Sequence, residues 1–284
     1  MVGRIKSLTK YEFLRHPTYP YIVLAIVIVA LGYINPLLYD VLEIDFPVVL
    51  DGDNSRSILD TLNLYTFVYL GKTLYRVLTT EIFRPWLLLV ISAIYALTIA
   101  RDMKREHLRF IFSLPIDRWE YITVKILIST LFIWIVYYIS TAFILYLRFG
   151  YTSFTLLLPL SLARYFIVVS AVSIATALIT GSDIATVISG FIGFIALEAV
   201  FVTVFAGNEL YNLSIQIEPY RVLGLVDEVL AIEDELIRNF LLGMEPDIVS
   251  TAITVNNLHI IYSILSSLTI LAIGIYIFMR RDID

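Results

Sequence analysis

Along this chain, apolar runs long enough to bridge a bilayer alternate with short charged stretches, and that alternation predicts helices. A helix needs roughly 20 mostly apolar residues to cross a ~30 Å hydrocarbon core. Six segments are read as spans on that measure: 20–39, 85–100, 122–147, 154–180, 184–206 and 258–279. The second is short and runs on into the charged segment at Arg101. Pro159 divides the fourth, so 154–160 reads as a separate interfacial piece and Leu162 to Thr180 as the crossing. The stretch 62–83 is also apolar, but Lys72 and Arg76 stand in its middle. Each would cost roughly 2.5–3.5 kcal/mol at the centre of a span, which predicts an amphipathic helix on the outer surface. A second outer helix is predicted where Val226, Val229, Leu230, Leu236 and Ile237 recur at helical spacing. Asp227, Glu228, Glu233, Asp234 and Glu235 fill its other face.

Composition turns this pattern into a class. Hydrophobic residues make up 59% of the 284, charged residues only 16%, and the mean hydropathy is +0.86. A soluble domain is nearer half apolar and about a quarter charged. The expected fold is therefore one all-α integral membrane domain over 1–284. The basic residues orient it. With the N-terminus inside, 1–19, 101–121, 181–183 and 280–284 hold eleven Lys and Arg in 48 positions, against seven in 102 for 40–84, 148–153 and 207–257. Sixteen of the 25 acids fall in the outer pieces. The expected plan is six spans, N-in and C-in, in the cell membrane. The N-terminus lacks the apolar core and cleavage site of a signal peptide, so the first span is expected to be its own insertion signal.

Little in the chain suggests catalysis. There is no Cys, hence no thiolate chemistry. His16, His107 and His259 are scattered without metal-ligand spacing, and no compact Ser/His/Asp set is present. Gly71-Lys72-Thr73 resembles the end of a phosphate-binding loop, but that loop needs a Gly where Thr66 stands. No enzyme activity, resident cofactor, metal or nucleic-acid partner is expected. Inside the spans stand one carboxylate, Glu198, and two basic residues, Lys125 and Arg164. Lys125, near the inner end of its span, is expected to snorkel to the headgroups. Glu198 lies eight residues, or ~12 Å, below the outer end of the fifth span. Two readings follow: an intramembrane pair with Arg164, or Arg164 reaching headgroups while Glu198 faces a helix or water alone. Ala171/Ala175, Ser173/Ala177 and Ser189/Gly193 have the spacing at which small residues let helices approach. Asn212-Leu213-Ser214 is a glycosylation sequon in an outer segment.

The segment "FSLPIDRWEYITVK", 112–125, puts charges, a Pro and a Trp between two apolar runs. Before it, apolar Met103, Leu108, Phe110, Ile111 and Phe112 interleave with charged residues in a helical pattern. Pro115 stops that helix, and Asp117 with Glu120 forms a capping-box-like start for the next span. This predicts a short stiff helix across the inner membrane face, joined by a sharp turn to a capped span.

Here the chain resembles membrane subunits of the second class of ATP-binding cassette exporters. The similarity rests on Asp102, Leu108, Phe110, Ile111, Ser113, Pro115, Ile116, Arg118 and Lys125, on the six-span plan, on the basic amphipathic N-terminus and on the large outer insertion before the last span. Glu106-His107 stands where that family has Gly-Thr, Lys104 where it has a second acid, and Asp117 where it has Ser or Thr. The resemblance implies that 101–121 is a coupling helix seated in a groove of a separate ATPase subunit, which holds ATP and Mg. Leu108, Phe110, Ile111 and Phe112 are then the expected apolar contacts, and Arg105, Arg109 and Arg118 the charged ones, with Pro115 and Asp117 shaping the turn. It further implies a homodimer or heterodimer of permeases exporting a lipid, glycan, peptide or drug. The alternative is a non-transporting subunit that passes ATPase strokes to an extracytoplasmic partner.

Overall fold

The chain is helical wherever it forms regular structure among the described residues. A computed structural model describes residues 8–12, 14, 17–38, 83–112, 117–149, 159–160, 163–207, 210–211 and 246–281. After a helical segment at 8–12, the elements are α1 (Tyr19–Leu38), α2 (Phe83–Tyr95, continued by a π-helical turn Ala96–Ala100), α3 (Arg105–Phe112), α4 (Arg118–Phe149), α5 (Ala163–Thr180), α6 (Asp183–Phe201, continued by a π-helical turn Val202–Ala206) and α7 (Pro246–Arg280). Four of these are long and apolar enough to cross a membrane: α4, α5, α6 and α7. The apolar stretches described in α1 and α2, Tyr19–Ala30 and Trp86–Ala100, are shorter.

Element positions follow the apolar runs closely, with one large difference. α7 begins at Pro246, well before the expected start at 258. Hydropathy stops the apolar run at Asn256-Asn257, whereas helix geometry tolerates both residues. The helix therefore extends back into the segment expected to be outer loop. The predicted surface helices at 62–83 and 226–241, the Gly71–Thr73 motif and Asn212 all lie outside the described residues.

Apolar residues cover the outside of this bundle as well as filling its core. α5 is enclosed, with 72% of its apolar window buried, against 17% for α7. It packs on α7, α6 and α2. The outer helices carry continuous apolar stripes on their exposed faces: Leu127, Leu131, Ile135, Ile139 and Phe143 on α4, and Ile184, Ile188, Ile192 and Ile195 on α6. Spacing of three or four residues places each set along one helix face. In water such stripes would be large liabilities; against acyl chains they are the expected surface.

With lipid outside, helices associate by close packing rather than by burying apolar surface from water, which favours small residues at contacts. Of the residues singled out above, Ser173, Ala175 and Gly193 sit at such contacts, joined by Ser92, Gly190 and Gly274. A Cβ on Gly190 of α6 would lie 2.2 Å from Ser92 Oγ of α2 and 2.3 Å from Ser173 Oγ of α5. Gly193 faces Val172 in the same way, and Gly274 of α7 rests on the Ala175 backbone, 2.7 Å from its would-be Cβ. Ser173 donates to Ser92 (3.2 Å) and Ser92 back to the Leu88 carbonyl (2.8 Å), so neither buried hydroxyl is stranded. Gly190→Ala should therefore cost about 1–3 kcal/mol by overpacking, seen as a lower unfolding midpoint in detergent. Adding Ser92→Ala and Ser173→Ala should recover part of that loss, because the two hydroxyls are the nearest obstacles.

Candidate coupling site

Chain geometry around 101–125 starts from the π-helical turn that ends α2. Its signature is Arg101 N–H donating to the Ala96 carbonyl at 3.1 Å, five residues back. Such a turn inserts one extra residue into the helix ladder and often marks a functional site. The chain then bends through 101–104 and enters α3. Leu108 N–H reaches the Lys104 carbonyl (3.1 Å) at its start.

α3 presents a different face from the one the resemblance implied. Met103, Leu108 and Ile111 are buried in this chain's own core. Leu108 and Ile111 are therefore anchors of α3 rather than outward apolar contacts, as the amphipathic period requires once a hydrophobic core lies beneath the helix. Arg109 is exposed. Phe112 is half-buried, edge-on to Tyr121 with ring centroids 6.0 Å apart. Arg118 lies over the Phe112 ring at 5.5 Å and donates to the carbonyls of Arg281 (2.8 Å) and Met279 (3.5 Å). It thus satisfies carbonyls at the end of α7, which helix geometry leaves open. The side chains of Arg105 and Phe110, and all of Pro115, fall outside the described part. Asp117 is exposed just before α4, and its carbonyl accepts from Tyr121 N–H (3.0 Å). Glu120 is buried in the first turn, where a negative charge suits the helix dipole.

Lys125 corrects the expectation most sharply. It does not snorkel: it is 3% exposed, with Nζ 2.9 Å from Glu12 Oε2 and 2.5 Å from Asp102 Oδ2. Both carboxylates are buried as well. Two of the residues that carry the resemblance, Asp102 and Lys125, are therefore direct partners. Glu12, which sequence reasoning passed over, brings the 8–12 helix to the same point. Nothing local signals that third contact, since Glu12 and Lys125 are 113 residues apart.

The turn between α5 and α6 closes on the same region. Gly181 has φ +62°, which ends α5 with its N–H on the Ala177 carbonyl (2.9 Å). A Cβ there would meet the Met103 carbonyl at 2.9 Å, so Gly is required on both counts. Ser182 then caps α6 by accepting from Ala185 N–H (3.3 Å). Lys104 pairs with Asp183 at 3.1 Å, but both are well exposed, so the pair contributes little.

A second polar cluster lies toward the far end of α6. Arg164 of α5 lies within electrostatic reach of the Glu198 carboxylate. Glu198 Oε1 also accepts from His259 Nε2 of α7 (3.1 Å), and Oε2 accepts from Tyr211. Phe201 stacks on the His259 ring at 4.2 Å, and Tyr262 donates to the Leu197 carbonyl (3.2 Å). Arg164 is buried, donating to Tyr165 OH (2.7 Å) with its guanidinium over that ring. Hydropathy alone puts His259 at the very start of the last span, because Asn256-Asn257 interrupts the apolar run. From the start of its apolar stretch at Ser250, His259 is nine residues or ~14 Å in, level with Glu198.

No group of three or more His, Asp or Glu among the described residues could hold a metal. These clusters tie helices together. No known protein family, curated protein or solved structure matches this chain.

Removing one partner of a buried ion pair strands the others, at about 3–5 kcal/mol. Lys125→Met should do so for Glu12 and Asp102, lowering the unfolding midpoint and exposing 1–19 to protease. Adding Glu12→Gln and Asp102→Asn should restore most of the stability, because no uncompensated charge then remains.

Proposed function

We propose that the chain is the membrane subunit of an ATP-binding cassette exporter of the second class, with six spans, N-in and C-in, in the cell membrane. A separate subunit hydrolyses ATP with Mg, and two membrane subunits, alike or related, enclose the path. The reading rests on one observation above the others. The residues that carry the resemblance converge: Asp102 and Lys125 are bonded in the protein interior, and the N-terminal segment is bonded to them through Glu12.

That convergence supports a mechanical role. A push on α3 is not absorbed by a loose loop, because Leu108 and Ile111 anchor α3 in the core. It passes to α4 through the Asp102–Lys125 pair, to α7 through Arg118 and to the α5–α6 turn through the Met103–Gly181 contact. The surface left for an ATPase is the charged side of the segment, carrying Arg101, Lys104, Arg109 and Asp117. The apolar contribution is narrowed to Phe112 and the undescribed Phe110.

Affinity purification of the tagged full chain from its native host should bring down a protein with ATP-binding cassette motifs and ATPase activity. Arg109→Glu combined with Asp117→Arg should abolish that recovery, since like charges across an interface cost several kcal/mol. Membrane insertion and helix content should stay unchanged because both side chains are exposed. Recovery of no such ATPase by the unaltered chain would refute the reading.

A further inference from the structure

The end of α6 is built unlike the rest of the helix. Its last turn, Val202–Ala206, is π-helical, and Gly207 N–H closes it on the Val202 carbonyl, five residues back. Such turns often mark functional sites. Gly207 itself has φ +70° and ψ 161°, a conformation that glycine alone adopts without strain. A Cβ added there would meet nothing within 4 Å. Glycine is therefore required by the backbone angle alone, and no neighbour wedges this residue in place.

Beyond Gly207 the chain turns back on α6. Tyr211 donates to Glu198 Oε2, thirteen residues earlier. Its ring lies 5.4 Å from the His259 ring and 6.4 Å from that of Phe201. Leu210 and Tyr211 pack over a small apolar cluster of Phe201, Ala206 and Val255, apart from the main core. Beneath this cover Glu198 is 9% exposed, and His259 and Phe201 are fully buried.

The closed arrangement leaves one polar atom unmet. His259 Nε2 faces Glu198 Oε1 and carries the hydrogen between them, which leaves Nδ1 an acceptor in the neutral ring. Nδ1 is buried with no hydrogen-bond partner among the described residues. A stranded acceptor costs free energy, and water would relieve it. Closed, the cluster keeps the Tyr211 hydrogen bond and the ring contacts. Open, it gains hydration of Glu198 and of Nδ1.

We propose that Tyr211 is a latch, which swings about Gly207 and controls the access of water to the Glu198–His259 pair between α6 and α7. It involves neither α3 nor an ATPase, so it stands or falls apart from the coupling role.

The chain has no Cys, so a single introduced Cys reports without background. Val255→Cys puts one beneath Leu210 and Tyr211, at a position 6% exposed. The full chain carrying it is labelled in mild detergent with a charged, water-soluble thiol reagent, and labelling should be slow. Adding Tyr211→Phe, which keeps the ring and removes the hydroxyl, should speed it about tenfold, the effect of losing a hydrogen bond to a charged acceptor. Gly207→Ala should speed it by a similar factor of about ten, because the added Cβ strains the closed backbone and touches nothing else. Val169→Cys, buried in α5, should stay unlabelled with either substitution, which separates opening of the latch from loosening of the whole bundle. Immediate labelling of Val255→Cys alone, no acceleration by Tyr211→Phe, no acceleration by Gly207→Ala, or equal acceleration at Val169→Cys would each overturn the proposal.

Discussion

A buried lysine between two carboxylates governs the arrangement of everything around it. Taking Lys125, Glu12 and Asp102 out of water costs several kcal/mol per ion, and their attraction offsets this only while all three stay in place. The constraint is stricter than an apolar contact, which can slide or repack. It fixes the 8–12 helix, the turn after α2 and the first turns of α4 to one point. Around that point gather the Arg118 contacts with the end of α7 and the Gly181 contact with Met103. Segments far apart in the chain thus meet at one end of the bundle, and any displacement of α3 must be shared among them.

How much of this the sequence disclosed depended on how local the physics was. Apolar runs were readable because each helix must satisfy the demand for apolar side chains by itself. The start of α4 was readable too, since it begins just after Asp117, whereas the Ser182 cap of α6 had not been read from the sequence. Ser173, Ala175 and Gly193, each a member of a small-residue step on α5 or α6, sit at close helix contacts, because that spacing follows from helix geometry alone. Lys125 was misjudged because its surroundings depend on Glu12, for which no local pattern exists. Leu108 and Ile111 were placed outward by the resemblance alone; amphipathicity says that one face of α3 is apolar but not what it packs against.

The polar cluster on α6 shows how a boundary error propagates. Glu198 is a rare carboxylate inside a span, and the sequence offers Arg164 as its charged neighbour. With the last span started at Asn257-Leu258, His259 seemed to lie at the membrane surface. Its true depth follows only from the earlier helix start, and that start is hidden because two asparagines interrupt the hydropathy without interrupting the helix. Glu198, His259, Tyr211 and Phe201 then form a polar core enclosed by aromatic rings, where a buried carboxylate finds hydrogen-bond donors from two other segments.

The length of α7 has a mechanical consequence. Thirty-five residues make a rod of ~52 Å, longer than the ~40–45 Å of a whole bilayer with its headgroups. It packs on α5, where Gly274 rests on Ala175, and is bonded to α6 through His259 and Tyr262. The rod therefore joins the Arg118 contact at one end of the bundle to the Glu198 cluster toward the other.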